Sequence, residues 1–219
     1  RLGCMITASH NPASDSGIKV FDAEGYKTSP QLEDQISNLV YALCEEEREI
    51  DEIDNAELSQ PNVHGSLEWG MANHPLWLSQ RFMHFKLLFE NSALSTDFVQ
   101  RPLLLDCSKG SASSWFAEWL TRHGIKTQEI SREAAELNKS CGAGDFSPTA
   151  TWTFEEAAAS EHALLKNLTH APCGTIVGAA LDGDGDRCLV IEATESGFRV
   201  IDGDAMADTL IVAGTLQQR

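Results

Sequence analysis

Residues 176–187 read IVGAALDGDGDR, an apolar run followed directly by three carboxylates at alternate positions. The apolar run predicts a buried strand, and the two intervening glycines predict a loop that can fold around an ion. Three like charges this close repel one another strongly unless a cation neutralises them. We therefore predict a divalent metal site at Asp182, Asp184 and Asp186, for which Mg²⁺ is the simplest ion. The alternative is a solvated acidic turn between two strands.

The segments around this loop alternate between strand and helix patterns, which is typical of an α/β protein. Downstream, strands are expected at 188–193 and 198–201, and Asp202 is expected to cap a last helix that runs towards Gly214. The upstream segments are a buried strand at 2–8, a strand at 18–21, helices at 30–43 and 75–89, a strand at 102–106, a helix at 111–123 and a strand at 126–130. We predict two α/β domains with mixed sheets flanked by helices, at 1–98 and 99–204, with 205–219 leading towards a further domain.

The composition describes a globular protein, because 42% of the 219 residues are hydrophobic and 22% are charged. The net charge of −17 argues against nucleic acid or an anionic membrane surface as a partner. Cysteines without a C-x-x-C pair argue against a zinc site and predict reduced thiols in the cytoplasm. No apolar run reaches the length of a membrane span, and no signal peptide is visible. The start at Arg1, in mid-strand, and the end at Arg219 predict a fragment of a longer protein.

Two known loop patterns can be compared with the three carboxylates. An EF-hand needs Gly at the sixth loop position and Glu at the twelfth. Counted from Asp182, those positions hold Arg187 and Ala193, so the sequence excludes an EF-hand. An apolar strand followed by Asp-x-Asp-Gly also resembles the nucleophile motif of haloacid-dehalogenase-type phosphatases, although Asp186 stands where that family usually has Thr or Val. A phosphatase that uses Asp182 as its nucleophile therefore stays open as an alternative.

A second cluster of polar residues lies near the amino terminus, at Thr7-Ala8-Ser9-His10-Asn11-Pro12. Pro12 restricts Asn11 to extended geometry, which places the Ser9 hydroxyl on a tight turn. His10 adjoins Ser9 in sequence and is poorly placed as its general base, and the sequence has no G-x-S-x-G elbow. If the fold brings Ser9 to the metal, its hydroxyl can carry a phosphate, because Mg²⁺ neutralises a phosphoserine. An ordinary structural turn is the alternative.

Together the two clusters resemble the α-D-phosphohexomutase superfamily. The resemblance rests on the Thr7–Pro12 cluster with Gly17-Ile18-Lys19 after it, and on Asp182–Arg187, in the right order along the chain. Further likeness to the second domain of that family lies at Leu137-Asn138, Cys141-Gly142-Ala143 and Ile201-Asp202-Gly203-Asp204. The likeness covers essentially the whole chain and corresponds to the latter part of the first domain and to the second domain.

The resemblance implies an enzyme that moves a phosphoryl group between the 6- and 1-positions of a hexose or hexosamine phosphate. Ser9 would carry the phosphoryl group and give it to a sugar monophosphate. The bisphosphorylated sugar would turn over within the site and return its other phosphate to Ser9. The Mg²⁺ ligands would be Asp182, Asp184, Asp186 and an oxygen of phosphorylated Ser9.

Residues beside the two clusters take supporting roles by the same resemblance. Arg187 would steady phosphate charge, and Lys19 would assist proton transfer at the sugar hydroxyl. His10 and Asn11 would orient the loop that carries the serine. These roles suit phosphoryl transfer, which needs charge neutralisation and in-line positioning. The sequence departs from the family pattern at Ser16, where the family usually has Asn.

The sequence lacks two further loops of the family, a Gly-Glu-x-Ser-Gly-His sugar-recognition loop and an Arg-rich phosphate-binding loop. The substrate-binding residues are therefore unknown, and we expect the 219 residues alone to be inactive. Within the superfamily the quoted segments look most like hexosamine-phosphate mutases, with phosphomannomutases and phosphoglucomutases as near alternatives. From other classes, an Asp182-dependent phosphatase and a non-catalytic cation-binding module stay open. The sequence does not fix the oligomeric state.

Overall fold

The structure is a computed structural model that describes residues 3–12, 14–45, 67–88, 101–132 and 134–217. The chain divides into two units, of which the first comprises Arg1–Ile6 and Ile18–His84 and the second comprises Thr7–Gly17 and Phe85–Arg219. The turn that carries Ser9 therefore belongs to the second unit, although the strands on either side of it lie mainly in the first. The predicted domain boundary at 98/99 lies outside the described residues and stays a prediction.

Strands and helices alternate along most of the described chain, as the sequence pattern indicates. In chain order they are β1 (Gly3–Thr7), β2 (Gly17–Phe21), α1 (Pro30–Glu45), α2 (Leu67–Leu88), β3 (Leu103–Asp106), α3 (Phe116–Arg122), β4 (Thr127–Glu129), β5 (Thr151–Thr153), α4 (Phe154–Ala159), β6 (Ile176–Leu181), β7 (Cys188–Ala193), β8 (Gly197–Ile201) and α5 (Gly203–Gln217). Short 3₁₀ turns lie at Ala143–Asp145 and Leu165–Asn167. The predicted fold class, mixed sheets flanked by helices, is confirmed.

The second unit is built on a six-stranded mixed sheet with the strand order β4-β3-β6-β7-β8-β5. Strand β3 pairs in parallel with both β4 and β6, and the remaining neighbours pair antiparallel. Since parallel strands have their carboxyl ends at one edge of a sheet, the loops after β3 and β6 leave the sheet side by side. The loop after β6 is the acidic loop predicted from the sequence.

Strand β6 is buried on both of its faces, which explains why its sequence is a continuous apolar run. Ala180 packs in a cluster with Ala157 of α4, whereas Ala179 and Leu181 pack in a second cluster with Ala117 of α3. Because successive side chains of a strand point to opposite faces, α3 and α4 cover opposite faces of the sheet. The acidic loop is thus anchored on the best-buried strand of the unit.

Three sequence-based expectations about the elements are wrong. The strand predicted as buried over 2–8 forms as β1, but Ile6 is 75% exposed; among the described strands, β1 pairs with β2 alone. The helix predicted to begin at Pro75 begins at Leu67, so Pro75 lies inside it, where it removes one N–H donor. The helix predicted from Ser111 begins only at Phe116, after turns in which Ser113 N bonds the Gly110 carbonyl and Trp115 N bonds the Ala112 carbonyl.

The sequence reading also missed β5 and α4, although Thr153 and Glu156 carried a signal for the start of that helix. The Thr153 side chain accepts a hydrogen bond from the Glu156 N–H, and the Glu156 carboxylate accepts one from the Thr153 N–H. This reciprocal pair is a capping box, which the spacing Thr-x-x-Glu predicts. Among the described helices, none is both long and apolar enough to cross a membrane.

Candidate active site

The candidate site lies at the carboxyl ends of the parallel strands β3 and β6. In the sheet, β3 lies between β4 and β6. The chain leaves β3 towards α3 and β4 on one side, and β6 is the neighbour on the other side, so the connections after β3 and β6 diverge at this point. Ligands of open α/β sheets bind in the crevice at such a divergence. Hydrogen bonds join the two loops there, from Ser111 N to the Gly183 carbonyl at 2.9 Å and from Ser111 Oγ to the Asp184 carbonyl at 3.1 Å.

The three carboxylates of the acidic loop converge on one point. One oxygen from each of Asp182, Asp184 and Asp186 lies within 4.8 Å of the other two. Octahedral Mg²⁺, with ligands at about 2.1 Å, requires oxygen–oxygen separations of about 3 to 4.2 Å. The three oxygens therefore lie close to the spacing that such an ion requires, and carboxylate oxygens are the hard ligands that it prefers. These residues fit a divalent metal.

Asp182 shapes the loop as well as facing its centre. Its buried Oδ1 accepts hydrogen bonds from the N–H groups of Gly185 and Arg187, each at 3.1 Å. These bonds require the chain to curl back over the carboxylate, and Gly185 makes the curl with a φ of 79°. Glycine adopts this left-handed conformation without the steric penalty of a side chain. Hydrogen bonds from the loop's own backbone therefore hold it in the conformation in which the carboxylates converge.

The electrostatics of the loop favour a bound cation. Burial raises the pKa of the Asp182 carboxyl above its ordinary value, and the nearby charges of Asp184 and Asp186 act in the same direction. Hydrogen bonds from the Arg187 N–H and the Ser9 hydroxyl oppose the rise only in part. A divalent cation would reverse this balance, because it becomes the largest local charge.

The Ser9 turn presents its hydroxyl to the buried carboxylate of this loop. Ser9 Oγ donates a hydrogen bond to Asp182 Oδ2 at 3.0 Å, although 173 positions separate the two residues in the chain. Ser9 has a left-handed backbone with a φ of 50°, and Asn11 N bonds the Ala8 carbonyl at 2.8 Å to close the turn. Such a conformation costs a non-glycine residue about 1 kcal/mol or more, so contacts around the turn must hold it.

Thr7 links the serine turn to a second carboxylate. Its hydroxyl donates to Asp184 Oδ2 at 3.0 Å and accepts a hydrogen bond from the Ser9 N–H at 2.9 Å. A second direct contact runs from the Gly183 N–H to the Ser9 carbonyl at 2.9 Å. The serine turn and the acidic loop are therefore joined by side chains and by backbone.

Two glycines allow the backbones at the site to approach one another. A Cβ atom on Gly183 would lie 2.6 Å from the Ser9 carbonyl oxygen, and one on Gly110 would lie 2.1 Å from the Gly183 carbonyl oxygen. Both distances are too short for any side chain. The serine turn, the acidic loop and the loop after β3 thus stack in direct backbone contact.

The other residues that the sequence analysis selected lie in different parts of the structure. Arg187 is next to the three carboxylates, with Nε 4.0 Å from Asp182 Oδ2 and a side chain that is 60% exposed. His10 is exposed in the serine turn. Lys19 lies on β2 and is half-buried, in the first unit. The roles predicted for these three residues stay predictions.

Three further residues contact the site. The sequence analysis quoted them only within motifs or did not consider them as site residues. They are Thr7, Ser111 and Asn138, and their side chains donate hydrogen bonds to the acidic loop or the serine turn. Their contacts span 73 to 177 positions in the chain. No local pattern predicts such contacts, but the alternation of Thr7 and Ser9 on one side of the strand end was a usable signal.

Comparison with known proteins shows which family the chain resembles. Residues 1–47 match the family model described as phosphoglucomutase/phosphomannomutase, alpha/beta/alpha domain I. The match includes the serine turn and confirms the resemblance to the α-D-phosphohexomutase superfamily, to which this chain is related.

Individual relatives carry a more specific name than the family model does. The chain is 30% identical to the phosphoglucosamine mutase of Clostridium acetobutylicum over 92% of its length. It is 31% identical to that of Leuconostoc mesenteroides over 92% of its length, and 30% identical to that of Geobacillus thermodenitrificans over 100%. The chain spans only 36% to 42% of the length of these three relatives.

Proposed function

We propose that the protein is a phosphohexomutase that moves a phosphoryl group between the 6- and 1-positions of a hexosamine phosphate. The observation that carries the proposal is the hydrogen bond from Ser9 Oγ to Asp182 Oδ2, at 3.0 Å, inside a cluster of three carboxylates. Similarity to phosphoglucosamine mutases supports the choice of sugar. A hexose phosphate is the alternative substrate, because the family model covers phosphoglucomutases and phosphomannomutases.

The proposed reaction is a pair of phosphoryl transfers that share Ser9. In the first, the bond between Ser9 Oγ and phosphorus breaks, a sugar hydroxyl oxygen forms the new bond to phosphorus, and the sugar hydroxyl proton is released. In the second, the other phosphate of the bisphosphorylated sugar returns to Ser9 Oγ, and its former sugar oxygen takes up a proton. We assign proton transfer to Lys19 as a prediction. The sum of the two steps leaves the enzyme unchanged.

The residues of the acidic loop would hold the metal that this chemistry requires. Asp182, Asp184 and Asp186 would bind Mg²⁺, which neutralises phosphate charge and polarises a phosphoryl oxygen when it is bound. Asp182 also accepts the Ser9 hydroxyl proton in a hydrogen bond, which keeps Oγ pointing at the ligand cluster. Arg187 is exposed beside the cluster and can meet the phosphate of a substrate.

The contacts of Asp182 favour Ser9 over Asp182 as the phosphate carrier. Asp182 is fully buried, its Oδ1 accepts two backbone N–H groups, and its Oδ2 accepts the Ser9 hydroxyl. A carboxylate nucleophile must instead turn an oxygen towards the substrate. Ser9 is half-buried, so it is more exposed than this carboxylate.

We also propose a cytoplasmic location. The five cysteines whose side chains are described, Cys4, Cys107, Cys141, Cys173 and Cys188, are free thiols. Free thiols are typical of proteins in a reducing compartment.

Phosphopeptide mapping tests the proposal. The protein is purified from its native source, with whatever sequence flanks residues 1–219, in the presence of Mg²⁺ and phosphatase inhibitors. We expect one phosphoryl group on Ser9, which hexosamine 6-phosphate removes and a hexosamine bisphosphate restores. Ser9→Ala should abolish the label, whereas Ser14→Ala should retain it. Ser14 is a matched control, because it is an exposed serine in the same segment, Thr7–Gly17.

Two outcomes would overturn the proposal. A label on Asp182 with Ser9 unmodified would establish the phosphatase alternative. A protein that stays unlabelled after treatment with the bisphosphate, and that nevertheless binds Mg²⁺, would establish a cation-binding module.

A further inference from the structure

Asn138 supports the serine turn next to the acidic loop, because its side chain and the Gly183 N–H both bond the Ser9 carbonyl. Its Nδ2 donates two hydrogen bonds, one to the Ser9 carbonyl and one to the Asn11 carbonyl, each at 2.7 Å. These carbonyls flank His10, so one side chain spans the tip of the turn. Both amide hydrogens of Asn138 are used in these bonds.

Ser108 fixes the orientation of the Asn138 side chain. Ser108 Oγ donates to Asn138 Oδ1, and the Asn138 N–H returns a bond to the Ser108 carbonyl at 3.2 Å. The Ser9 and Asn11 carbonyls can only accept hydrogen bonds, so the NH₂ group of the amide must face the serine turn and Oδ1 must face Ser108. Ser108 is fully buried, and its own N–H donates to Asp106 Oδ1 at 2.8 Å.

A continuous series of hydrogen bonds therefore runs from the core to Ser9. Asp106 at the end of β3 is fully buried, and its second oxygen accepts the Gly142 N–H at 2.8 Å. From Asp106 the bonds pass through Ser108 to Asn138, and from Asn138 to the Ser9 carbonyl. A buried network of this kind has little freedom to move, because each lost bond would leave a polar group unpaired.

The serine turn needs such support because its conformation is unfavourable. Ser9 has a φ of 50°, and the Asn138 and Ser108 backbones are also left-handed, at 56° and 59°. Asparagine tolerates this region better than most residues, which suits Asn138 to its position. If the turn relaxed to an ordinary conformation, Ser9 Oγ would leave Asp182 Oδ2.

We propose that Asn138 is a positioning residue that holds the Ser9 turn in the geometry that directs Oγ towards the three carboxylates. The residue touches no reacting atom and acts through the Ser9 and Asn11 carbonyls. The kinetic consequence of this inference rests on the proposed function, whereas its structural consequence does not. Two measurements therefore separate the two claims.

The first measurement is hydrogen exchange, observed by NMR on the native full-length protein. The Nδ2 protons of Asn138 in the unmodified protein should exchange at least ten times more slowly than those of an asparagine in a short peptide. In Asn138→Ala, the Asn11 N–H should exchange at least ten times faster than in the unmodified protein. Asn167→Ala is the matched control, because Asn167 Nδ2 also donates to a backbone carbonyl, that of Ala163, at 2.8 Å.

The second measurement is steady-state kinetics of the native full-length protein with hexosamine phosphate. Asn138→Ala and Asn138→Asp should lower kcat ten- to a hundred-fold and change KM less than two-fold, whereas Asn167→Ala should change neither. Asn138→Asp should be at least as poor as alanine, because a carboxylate cannot donate to the two carbonyls.

Each outcome decides a separate claim. Unprotected Nδ2 protons in the unmodified protein would overturn the positioning role without any variant having to fold. Unchanged Asn11 exchange in a folded Asn138→Ala would do the same. Protected Nδ2 protons in a protein that Ser9 phosphopeptide mapping finds unlabelled would support the positioning role and overturn the proposed function alone.

Discussion

Replacing Gly183 with alanine tests whether the serine turn rests directly on the acidic loop. The new Cβ would lie 2.6 Å from the Ser9 carbonyl oxygen and 3.1 Å from both Asn138 Nδ2 and Leu137 Cδ1, whereas ordinary contact begins at 3.4 Å. The Ser9 oxygen is part of the backbone and cannot rotate away, so the turn must move and the bond from Gly183 N to Ser9 must lengthen. Overpacking costs about 1–3 kcal/mol and a lost hydrogen bond about 1 kcal/mol, so we expect a loss of about 2–4 kcal/mol in unfolding free energy.

Urea unfolding and Mg²⁺ titration together measure this effect, with Gly203→Ala as the matched control. A Cβ on Gly203 meets open space at the start of α5, in the same unit, so alanine should be neutral there or stabilise by up to about 1 kcal/mol. We expect Gly183→Ala to lower the urea midpoint and to weaken Mg²⁺ binding, and Gly203→Ala to do neither. If the two variants behave alike in both measurements, the direct contact between turn and loop does not exist.

Three further predictions concern single groups. Thr7→Val keeps the side-chain volume but removes the hydroxyl that lies between Asp184 Oδ2 and the Ser9 N–H. We expect urea titrations to show an unfolding free energy lower by about 1–2 kcal/mol. An unchanged urea midpoint would contradict this contact. Mg²⁺ at a hundred times its Kd should stabilise the protein by about 2.7 kcal/mol, which raises the Tm. A Tm that does not change when Mg²⁺ is added would argue against a metal site. Burial raises the pKa of Cys107 to about 12, so at pH 8 only about one molecule in ten thousand carries its thiolate, and iodoacetamide should modify the exposed Cys4 long before it. Equal rates of modification would show that Cys107 is accessible.

The parts of the site that the sequence predicted are those that depend on neighbouring residues. An apolar run buried on both faces, followed by Asp-Gly-Asp-Gly-Asp, specifies a strand and a turn whose carboxylates converge. The structure places oxygens of Asp182, Asp184 and Asp186 within 4.8 Å of one another. The closed turn at Ser9 was similarly expected from the proline that follows it. Such features need no knowledge of the rest of the fold.

The parts that the sequence could not predict depend on distant residues. Asn138 contacts the serine turn across 129 positions, and its role depends on which amide atom faces Ser108. Ser111 follows helical spacing, yet it lies in the turns before Phe116 and its N–H bonds the Gly183 carbonyl of a distant loop. In each case a contact within the folded sheet overrides the local preference.

The central claim is that Ser9 and the three carboxylates form one metal-dependent phosphoryl-transfer site. The most direct test is a crystal structure of the protein soaked in Mn²⁺, which takes the same oxygen ligands as Mg²⁺ and gives an anomalous signal. The account predicts one anomalous peak within bonding distance of Asp182, Asp184 and Asp186, with Ser9 Oγ or its phosphate completing the ligands. A peak elsewhere, or an acidic loop without a peak at saturating Mn²⁺, would contradict it.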